Sequence, residues 1–435
     1  MLLSIAKKGQ SLLLLSFALF ALAGTLLLKL PGMTLHGDLA WIDAFFMATS
    51  ATCITGLATV PVTEFTLAGQ IVLAVLVQIG GIGIMTLSAS ILLSLGKGLS
   101  FSDTLLISSI NDNFSLRGTE GLTRIVLKYS LFTEGAGAAV IYVGCLLNGG
   151  DWLKSLWEAV FVAVSSFCNA GFTPYADSMA SQHALSKIGC AALIVFGGLG
   201  VYVIYDLLQV VRKKQNRLRV HSKVVLLTTA VLLIAGTVIL KCAGLQGGVA
   251  LNWSDAAFLS VSCRTAGFST FEIGTLSDAG LLSAMILMLI GASPGSTGGG
   301  MKTSTVAVAA AAIWNTFLGN TEVLMFKRMV PGANVLRAFS IIVIFLLLTY
   351  TATMVMQILA PRTDMTAVIF ESISALTTTG LSMNGTTSSF LAPAKFMLAV
   401  FMYIGRMGPF TIMLFLLSRE KRGQLKYPQE RIIIG

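Results

Sequence analysis

Apolar stretches long enough to cross a lipid bilayer recur along the whole chain. Of its 435 residues, 55% are hydrophobic and only 11% are charged, whereas soluble globular proteins carry about 25% charged residues. A helix that crosses the hydrocarbon core needs roughly 20 apolar residues. Because such stretches alternate with short polar segments, the sequence predicts a multi-pass membrane protein and argues against a set of soluble domains.

One order of elements occurs four times along the chain. Each unit has a long apolar helix, a short apolar helix, a glycine-containing loop and a second long helix. The short helices cannot span about 30 Å of hydrocarbon and are interpreted as re-entrant pore helices, which are tolerated when buried in protein or lining water. The predicted fold class is therefore an all-α polytopic membrane protein. It has four M1–pore helix–M2 repeats (eight transmembrane helices) in a pseudo-fourfold arrangement around one pore.

The distribution of charge predicts the orientation of these units. Most of the 29 Lys and Arg residues fall in the N-terminal segment, the linkers between units and the C-terminal tail, which the positive-inside rule places in the cytoplasm. Both termini are then cytoplasmic and every pore loop faces outward. The predicted units are 1–96, 97–211 with a cytosolic linker, 212–318 with a basic linker, 319–418 with a linker, and a cytosolic tail at 419–435.

The four loops align residue by residue. Each has one variable residue, then Thr or Ala, then Gly and a large apolar residue. Gly permits unusual backbone angles, and a ring of backbone carbonyls can replace the hydration shell of a cation. The pattern predicts a cation filter, and ordinary turns at the glycines are the alternative. The predicted filter residues are Ile54, Thr55, Gly56, Asn169, Ala170, Gly171, Thr265, Ala266, Gly267, Thr378, Thr379 and Gly380.

The second long helix of the third unit is interrupted. Between residues 291 and 300 it contains Pro294 and several glycines, which a continuous helix does not accommodate. Irregular backbone at membrane depth must line a cavity or be buried in protein. We interpret this segment as a mobile constriction below the filter, with a static kink as the alternative. Arg406 occupies the aligned position that Gly81, Gly198 and Ala292 hold in the other units, and an intramembrane Arg is a functional candidate.

Several other charged residues lie near the pore helices. Asp43, Glu158 and Asp255 lie near the starts of pore helices, where they either complement the helix dipole or attract cations. Glu371 and Arg264 lie in pore-helix regions, where a bare charge is costly. We expect these two residues, or polar groups near them, to pair behind the filter.

These motifs resemble those of the Trk/Ktr/HKT superfamily of potassium transporters, in particular its KtrB-type membrane subunits. The resemblance covers nearly the whole chain and rests on the four filter loops, on residues 298–302 and on residues 405–409. It implies that K⁺ binds at the filter residues and that the interrupted segment acts with Arg406 as a gate. The implied gate residues are Gly291, Pro294, Gly295, Gly298, Gly299, Gly300, Lys302 and Arg406.

The resemblance also implies partners and a location. A homodimer with one pore per subunit would lie in the bacterial inner membrane, in contact with lipid. A cytosolic KtrA-type ring that binds nucleotide would control it, and Na⁺ would stimulate transport. No covalently bound cofactor and no nucleic-acid partner are expected.

Alternative functions can be weighed on the same residues. A sodium-selective member of the superfamily is the runner-up, but plant members of that kind place Ser at the first filter position, where this chain has Gly56. A secondary transporter with inverted repeats would orient successive units oppositely, whereas these four share one orientation. An enzyme is not indicated, since zinc-protease, serine-hydrolase and nucleotide-binding motifs are not found.

Overall fold

The computed structural model of the chain describes residues 2–94, 119–213, 216–320, 322–383 and 385–408. Most of these residues are helical, which confirms the helical part of the predicted fold class. The linker that opens the second predicted unit and the predicted tail at 419–435 lie outside the described residues.

The helix bounds agree with the predicted order of long and short elements. The predicted pore helices correspond to α2, α5, α9 and α13 in the following order along the chain. The helices are α1 (Leu2–Leu28), α2 (Trp41–Thr52), α3 (Leu67–Ser94), α4 (Thr119–Leu147), α5 (Trp152–Phe167), α6 (Ala184–Leu199), α7 (Val201–Val211), α8 (Val220–Ala243), α9 (Trp253–Ser262), α10 (Asp278–Leu289), α11 (Thr303–Phe317), α12 (Gly332–Leu359), α13 (Met365–Thr377), α14 (Thr386–Ser389) and α15 (Ala392–Met407).

A short β-hairpin departs from the predicted all-α class. Strand β1 (Val323–Met325) pairs antiparallel with β2 (Arg328–Val330) between α11 and α12. The two turn residues, Phe326 and Lys327, have φ of 50° and 60°. Two successive positive φ angles are typical of the tight turn whose twist matches a β-hairpin.

The second long helix of the second unit is not continuous, so the prediction of one unbroken helix there is wrong. Helices α6 and α7 meet at an angle of 94°. Gly200 joins them with φ of 85°, a conformation that side chains rarely adopt. The amide of Val201 donates to the carbonyl of Gly295 over 3.1 Å, so a contact from the third unit replaces a helical hydrogen bond at the bend.

Three helical segments within the described residues are long and apolar enough to cross a membrane alone. They are Val126–Leu147, Val220–Ala243 and Gly332–Leu359, and the bent pair α6–α7 would make a fourth. Shorter apolar segments occur at Leu14–Leu28, Leu67–Gly81, Asp278–Leu289 and Met365–Thr377. The predicted count of eight spans is therefore still a prediction.

The short helices are the most deeply buried elements. In α13, every residue from Phe370 to Thr377 is buried, whereas the long helix α12 exposes Leu336, Leu347 and Ile358. Apolar residues on the outer helices match a lipid-facing surface. The short helices therefore lie at the centre of the protein, and their C-terminal ends carry the four glycine loops.

Candidate ion filter and gate

The first residue of each predicted filter loop has a left-handed backbone. A non-glycine residue with positive φ is uncommon, and a β-branched one is a clear outlier. Such conformations persist only where the surroundings impose them, and they cluster at functional sites. The four φ angles are 56° at Ile54, 59° at Asn169, 67° at Thr265 and 52° at Thr378. The same strained conformation thus occurs at the aligned position of all four loops.

The four filter glycines bring the loops together in a closed ring. Each glycine packs so tightly against the next loop that an added Cβ would lie within 3.0 Å of a carbonyl oxygen there. The pairs are Gly56 with Ala170, Gly171 with Ala266, Gly267 with Thr379, and Gly380 with Thr55. Because the fourth loop packs on the first, the contacts run once around in chain order. We call the twelve predicted filter residues the filter ring.

Hydrogen bonds from the pore helices hold the loops in this shape. The amide of Gly56 donates to Ser50 Oγ over 3.1 Å, and the amide of Gly380 donates to Ser374 Oγ over 3.0 Å. These bonds satisfy loop donors and leave loop carbonyl oxygens available to other partners. The buried hydroxyls of Thr55, Thr265 and Thr378 have no hydrogen-bond partner within the described residues. Oxygen atoms of this kind are suitable ligands for a dehydrated alkali cation.

The interrupted segment (residues 291–302) lies against the filter ring. A Cβ at Gly298 would lie within 3.0 Å of Thr265 Oγ1, and one at Gly299 would lie equally close to Thr378 Oγ1. Any larger residue would collide with the ring at these positions. The predicted gate and the predicted filter are thus in direct contact.

The bent helix of the second unit supports the interrupted segment from the other side. The hydroxyl of Thr297 donates to the carbonyls of Phe167 and Gly197 over 3.1 and 3.2 Å. The amide of Ser293 donates to the carbonyl of Gly198 over 3.1 Å. The segment therefore has defined polar partners, although it is not helical.

Two predicted gate cations donate to carbonyls of the same segment. Arg406 is only 7% exposed, and its guanidinium donates to Thr297 O and, over 2.8 Å, to Gly80 O. Lys302 Nζ donates to Gly298 O over 2.7 Å. Arg406 therefore links α15, the interrupted segment and α3, whereas Lys302 closes the segment upon itself.

The expected pair of Glu371 and Arg264 does not form, although the expectation of nearby polar partners for Glu371 is confirmed. Ser382 Oγ and Thr387 Oγ1 donate to the Glu371 carboxylate over 2.5 and 2.6 Å, and the Met383 amide donates over 3.1 Å. The chain after the fourth loop folds back over the carboxylate and satisfies it. Across the described chain, no ion pair joins Glu371 to Arg264, which is 6% exposed.

The acidic residues at the pore-helix starts have different roles from one another. Asp43 does not cap α2 but pairs with Lys395 of α15, with Nζ and Oδ1 2.8 Å apart. Glu158 lies 3.7 Å from the exposed Lys154. The carboxylates that cap pore helices are Asp151 and Asp364, which were not predicted from the sequence. Sequence reasoning also missed Glu134, although an acid inside an apolar helix was a usable signal.

Comparisons with known proteins agree with this arrangement. The family model described as TrkH, cation transport protein, matches residues 17–423. The chain is 37% identical to Ktr system potassium uptake protein B of Vibrio alginolyticus, over 99% of this chain and 96% of the relative. It is 35% identical to the potassium/sodium uptake protein NtpJ of Enterococcus hirae, over 96% of this chain and 95% of the relative.

A solved structure shares the fold. The crystal structure of the potassium transporter TrkH from Vibrio parahaemolyticus aligns with a TM-score of 0.72 at 18% identity, covering 95% of this chain and 85% of that one. Together with the match over residues 17–423, this confirms the superfamily resemblance. The chain belongs to the TrkH family of cation transport proteins.

Proposed function

We propose that this chain is the ion-conducting membrane subunit of a Ktr-type potassium uptake system. The observation that carries the proposal is the closed filter ring, in which four aligned loops repeat one strained backbone. Such a ring suits a dehydrated cation because each loop offers the same oxygens at the same height. The names of the two full-length relatives support potassium as the ion.

The proposed architecture is four M1–pore helix–M2 repeats with eight spans around one pore. The positions of α2, α5, α9 and α13 support it, as does the chain-order contact of the four loops. The unit boundaries near residues 96, 211, 318 and 418 belong to the same proposal. Cytoplasmic termini and outward-facing loops in a bacterial cell membrane rest on the distribution of Lys and Arg.

The interrupted segment and Arg406 form the proposed gate. The segment packs against the filter ring, so in its present position it would obstruct an ion leaving the filter toward the cytoplasm. Arg406 donates to the segment and carries a buried positive charge beside it. Closure would then be both steric and electrostatic, and opening would require the bond between Arg406 and Thr297 to break.

Regulation is proposed to come from the cytosolic side. A homodimer would assemble with a KtrA-type ring that binds nucleotide, and Na⁺ would act as an activator. The relative from Vibrio alginolyticus is named as one protein of a Ktr system, and that name supports a partner for this chain. The basic linker that contains Arg212 and Lys213, directly after α7, is a candidate contact for that partner or for anionic lipid.

A second candidate is a subunit that conducts both potassium and sodium. The relative from Enterococcus hirae, named a potassium/sodium uptake protein, favours it. Glycine at all four aligned filter positions favours potassium over a purely sodium-selective subunit.

Uptake by the purified full-length chain in liposomes tests the proposal. Rb⁺ serves as the tracer for K⁺, and Na⁺ uptake is measured in parallel, with and without a purified nucleotide-binding partner. We expect Rb⁺ to enter faster than Na⁺ and the partner to change the rate of Rb⁺ entry. Equal entry of both ions would favour the second candidate, and no entry of either would contradict ion conduction.

A further inference from the structure

An acid that the filter and gate do not explain lies inside the protein. Glu134 belongs to α4, within the membrane-crossing segment Val126–Leu147, and is only 6% exposed. Ionisable residues at this depth are costly, and they usually face the protein interior with a partner.

The direct partner of Glu134 is an amide of another unit. Gln78 Nε2 in α3 donates to both carboxylate oxygens of Glu134, over 3.0 and 3.1 Å. Gln78 Oε1 in turn accepts from Cys168 Sγ at 3.6 Å, at the end of the second pore helix. A neutral amide satisfies hydrogen bonds of a carboxylate but supplies no opposite charge. The net charge of Glu134 must therefore be offset by a group further away.

Arg406 reaches the same stretch of α3. Its Nη2 donates to the carbonyl of Gly80, two residues beyond Gln78. The Cys168 thiol packs against Gly81 and interacts electrostatically with both Glu134 and Arg406. Arg406 also lacks a direct carboxylate partner among the described side chains, and its Nε donates to none of their atoms. A buried cation and a buried anion thus meet one short segment of α3.

We propose that Glu134 is the buried counter-charge of Arg406 and a positioning residue of the gate, acting through residues 78–81 of α3. This inference rests on the gate described under the proposed function. The carboxylate stabilises the guanidinium where it holds Thr297, because opposite charges attract more strongly in a medium of low dielectric constant. Without that carboxylate, the buried guanidinium is less stable in the closed position, and the interrupted segment is released more often.

A double-mutant cycle in liposomes tests the proposal. The full-length wild type is compared with Glu134→Gln, Glu134→Asp, Arg406→Gln and the double variant Glu134→Gln/Arg406→Gln. Gln at position 134 can still accept from Gln78, so it removes the charge and keeps the hydrogen bond. We expect Glu134→Gln to raise maximal Rb⁺ uptake by at least about threefold, the lower range of coupling between interacting residues. The Rb⁺ concentration for half-maximal uptake should not change.

The remaining variants separate charge from structure. Glu134→Asp keeps the charge and should transport at close to the wild-type rate. In the Arg406→Gln background, Glu134→Gln should add nothing. The control is Glu371→Gln, another buried acid, whose hydroxyl and amide partners all lie in its own unit. Its effect should simply add to that of Arg406→Gln.

Each outcome decides between the two ideas. If Arg406→Gln leaves the uptake rate unchanged, the gate itself is wrong. If Arg406→Gln raises the rate but Glu134→Gln does not, or if their effects add, the gate stands and the role of Glu134 is overturned. Should Glu134→Gln fail to fold, the double variant is expected to recover folding because it buries no unpaired charge. A double variant that folds no better than the single one also overturns the proposal.

Discussion

The filter ring and the helices directly below it follow the fourfold pattern to different degrees. In the ring, all four loops share one left-handed residue and one glycine contact with the next loop. Below it, α3 runs on, α6 bends into α7, α10 is interrupted before α11, and α15 carries Arg406. The contrast indicates that coordination of an ion needs equal contributions, whereas control of its passage needs one unit that differs.

The asymmetry below the ring is concentrated around the third unit. The interrupted segment receives bonds from Arg406 of the fourth unit and donates to Gly197 and Gly198 of the second unit. The first unit contributes Gly80, which accepts from the same Arg406. Each neighbour thus has a different contact with one non-helical segment, and the predictions below disturb first the symmetric layer and then the asymmetric one.

The largest effect is expected from Gly56→Ser in the ring. Gly56 has φ of 88°, and a Cβ there would lie within 3.0 Å of the Ala170 carbonyl oxygen. The strain and the collision should displace the ring, and K⁺ over Na⁺ preference should fall roughly thirtyfold or more. Competition of K⁺ and Na⁺ with Rb⁺ uptake measures this ratio.

A glycine outside the ring provides the matched control. Gly135 lies in helix α4, and a Cβ there would meet no atom within 4 Å. Gly135→Ser should leave the preference close to that of the wild type. An unaltered ratio in Gly56→Ser would remove Gly56 from the filter.

The symmetric layer was also the easier one to predict. The pore helices and glycines repeat in the sequence, and a pattern seen four times specifies its own alignment. Gly200 could not be recognised as a bend, since its neighbours Gly197 and Gly198 resemble ordinary helix-packing glycines. Its conformation is stabilised by Gly295, a residue far along the chain.

Contacts between units explain the other missed residues. The partner of Glu134 is Gln78 in another unit, and Asp43 pairs with Lys395 at the far end of the chain. No local pattern indicates such pairs. The hairpin turn Phe326-Lys327 was missed for a different reason, because it lacks the Asn-Gly or Asp-Gly signal of tight turns.

The second-largest effect is expected from deleting residues 292–299. Gly291 and Gly300 are close neighbours across the segment, and Ile290 pairs with Met301, so a direct join needs little rearrangement. The deletion removes both the obstruction and the acceptor of Arg406. Maximal Rb⁺ uptake should rise by more than about tenfold, the factor expected from losing one charged hydrogen bond.

Folding must be checked before the deletion is interpreted. The variant should elute as the wild type does in size-exclusion chromatography and retain its helical circular dichroism spectrum. A folded variant with equal or lower uptake would show that the segment is not an obstruction.

A smaller effect is expected from Arg406→Gln. The substitution removes the charge and weakens the bonds to Thr297 and Gly80 but leaves the segment in place. Maximal Rb⁺ uptake should rise by about tenfold at most, because only one charged interaction is lost. The ratio of K⁺ to Na⁺ should remain close to that of the wild type, since both carbonyls that accept from the guanidinium lie outside the filter ring. A strong change of ratio at an unaltered rate would instead assign Arg406 to filter support.

The smallest effect is expected at the seam where the ring closes. Successive units are joined by the chain, but the fourth and first units meet only through contacts between side chains and backbone. Asp43 and Lys395 pair across this seam with 16% and 12% of their side chains exposed, and Phe45 stacks on Phe396 with ring centres 5.8 Å apart.

Asp43→Asn should therefore loosen the seam without altering the ring. It leaves the ammonium of Lys395 nearly buried without its carboxylate, which destabilises the protein by roughly 1–3 kcal/mol. Thermal unfolding in detergent should show a lower midpoint, while the ratio of K⁺ to Na⁺ uptake should not change. Lys154→Ala is the matched control, because Lys154 is 77% exposed in its 3.7 Å pair with Glu158 and such surface pairs contribute little. Equal midpoints for the two variants would mean that the apolar contacts around Phe45 close the ring unaided.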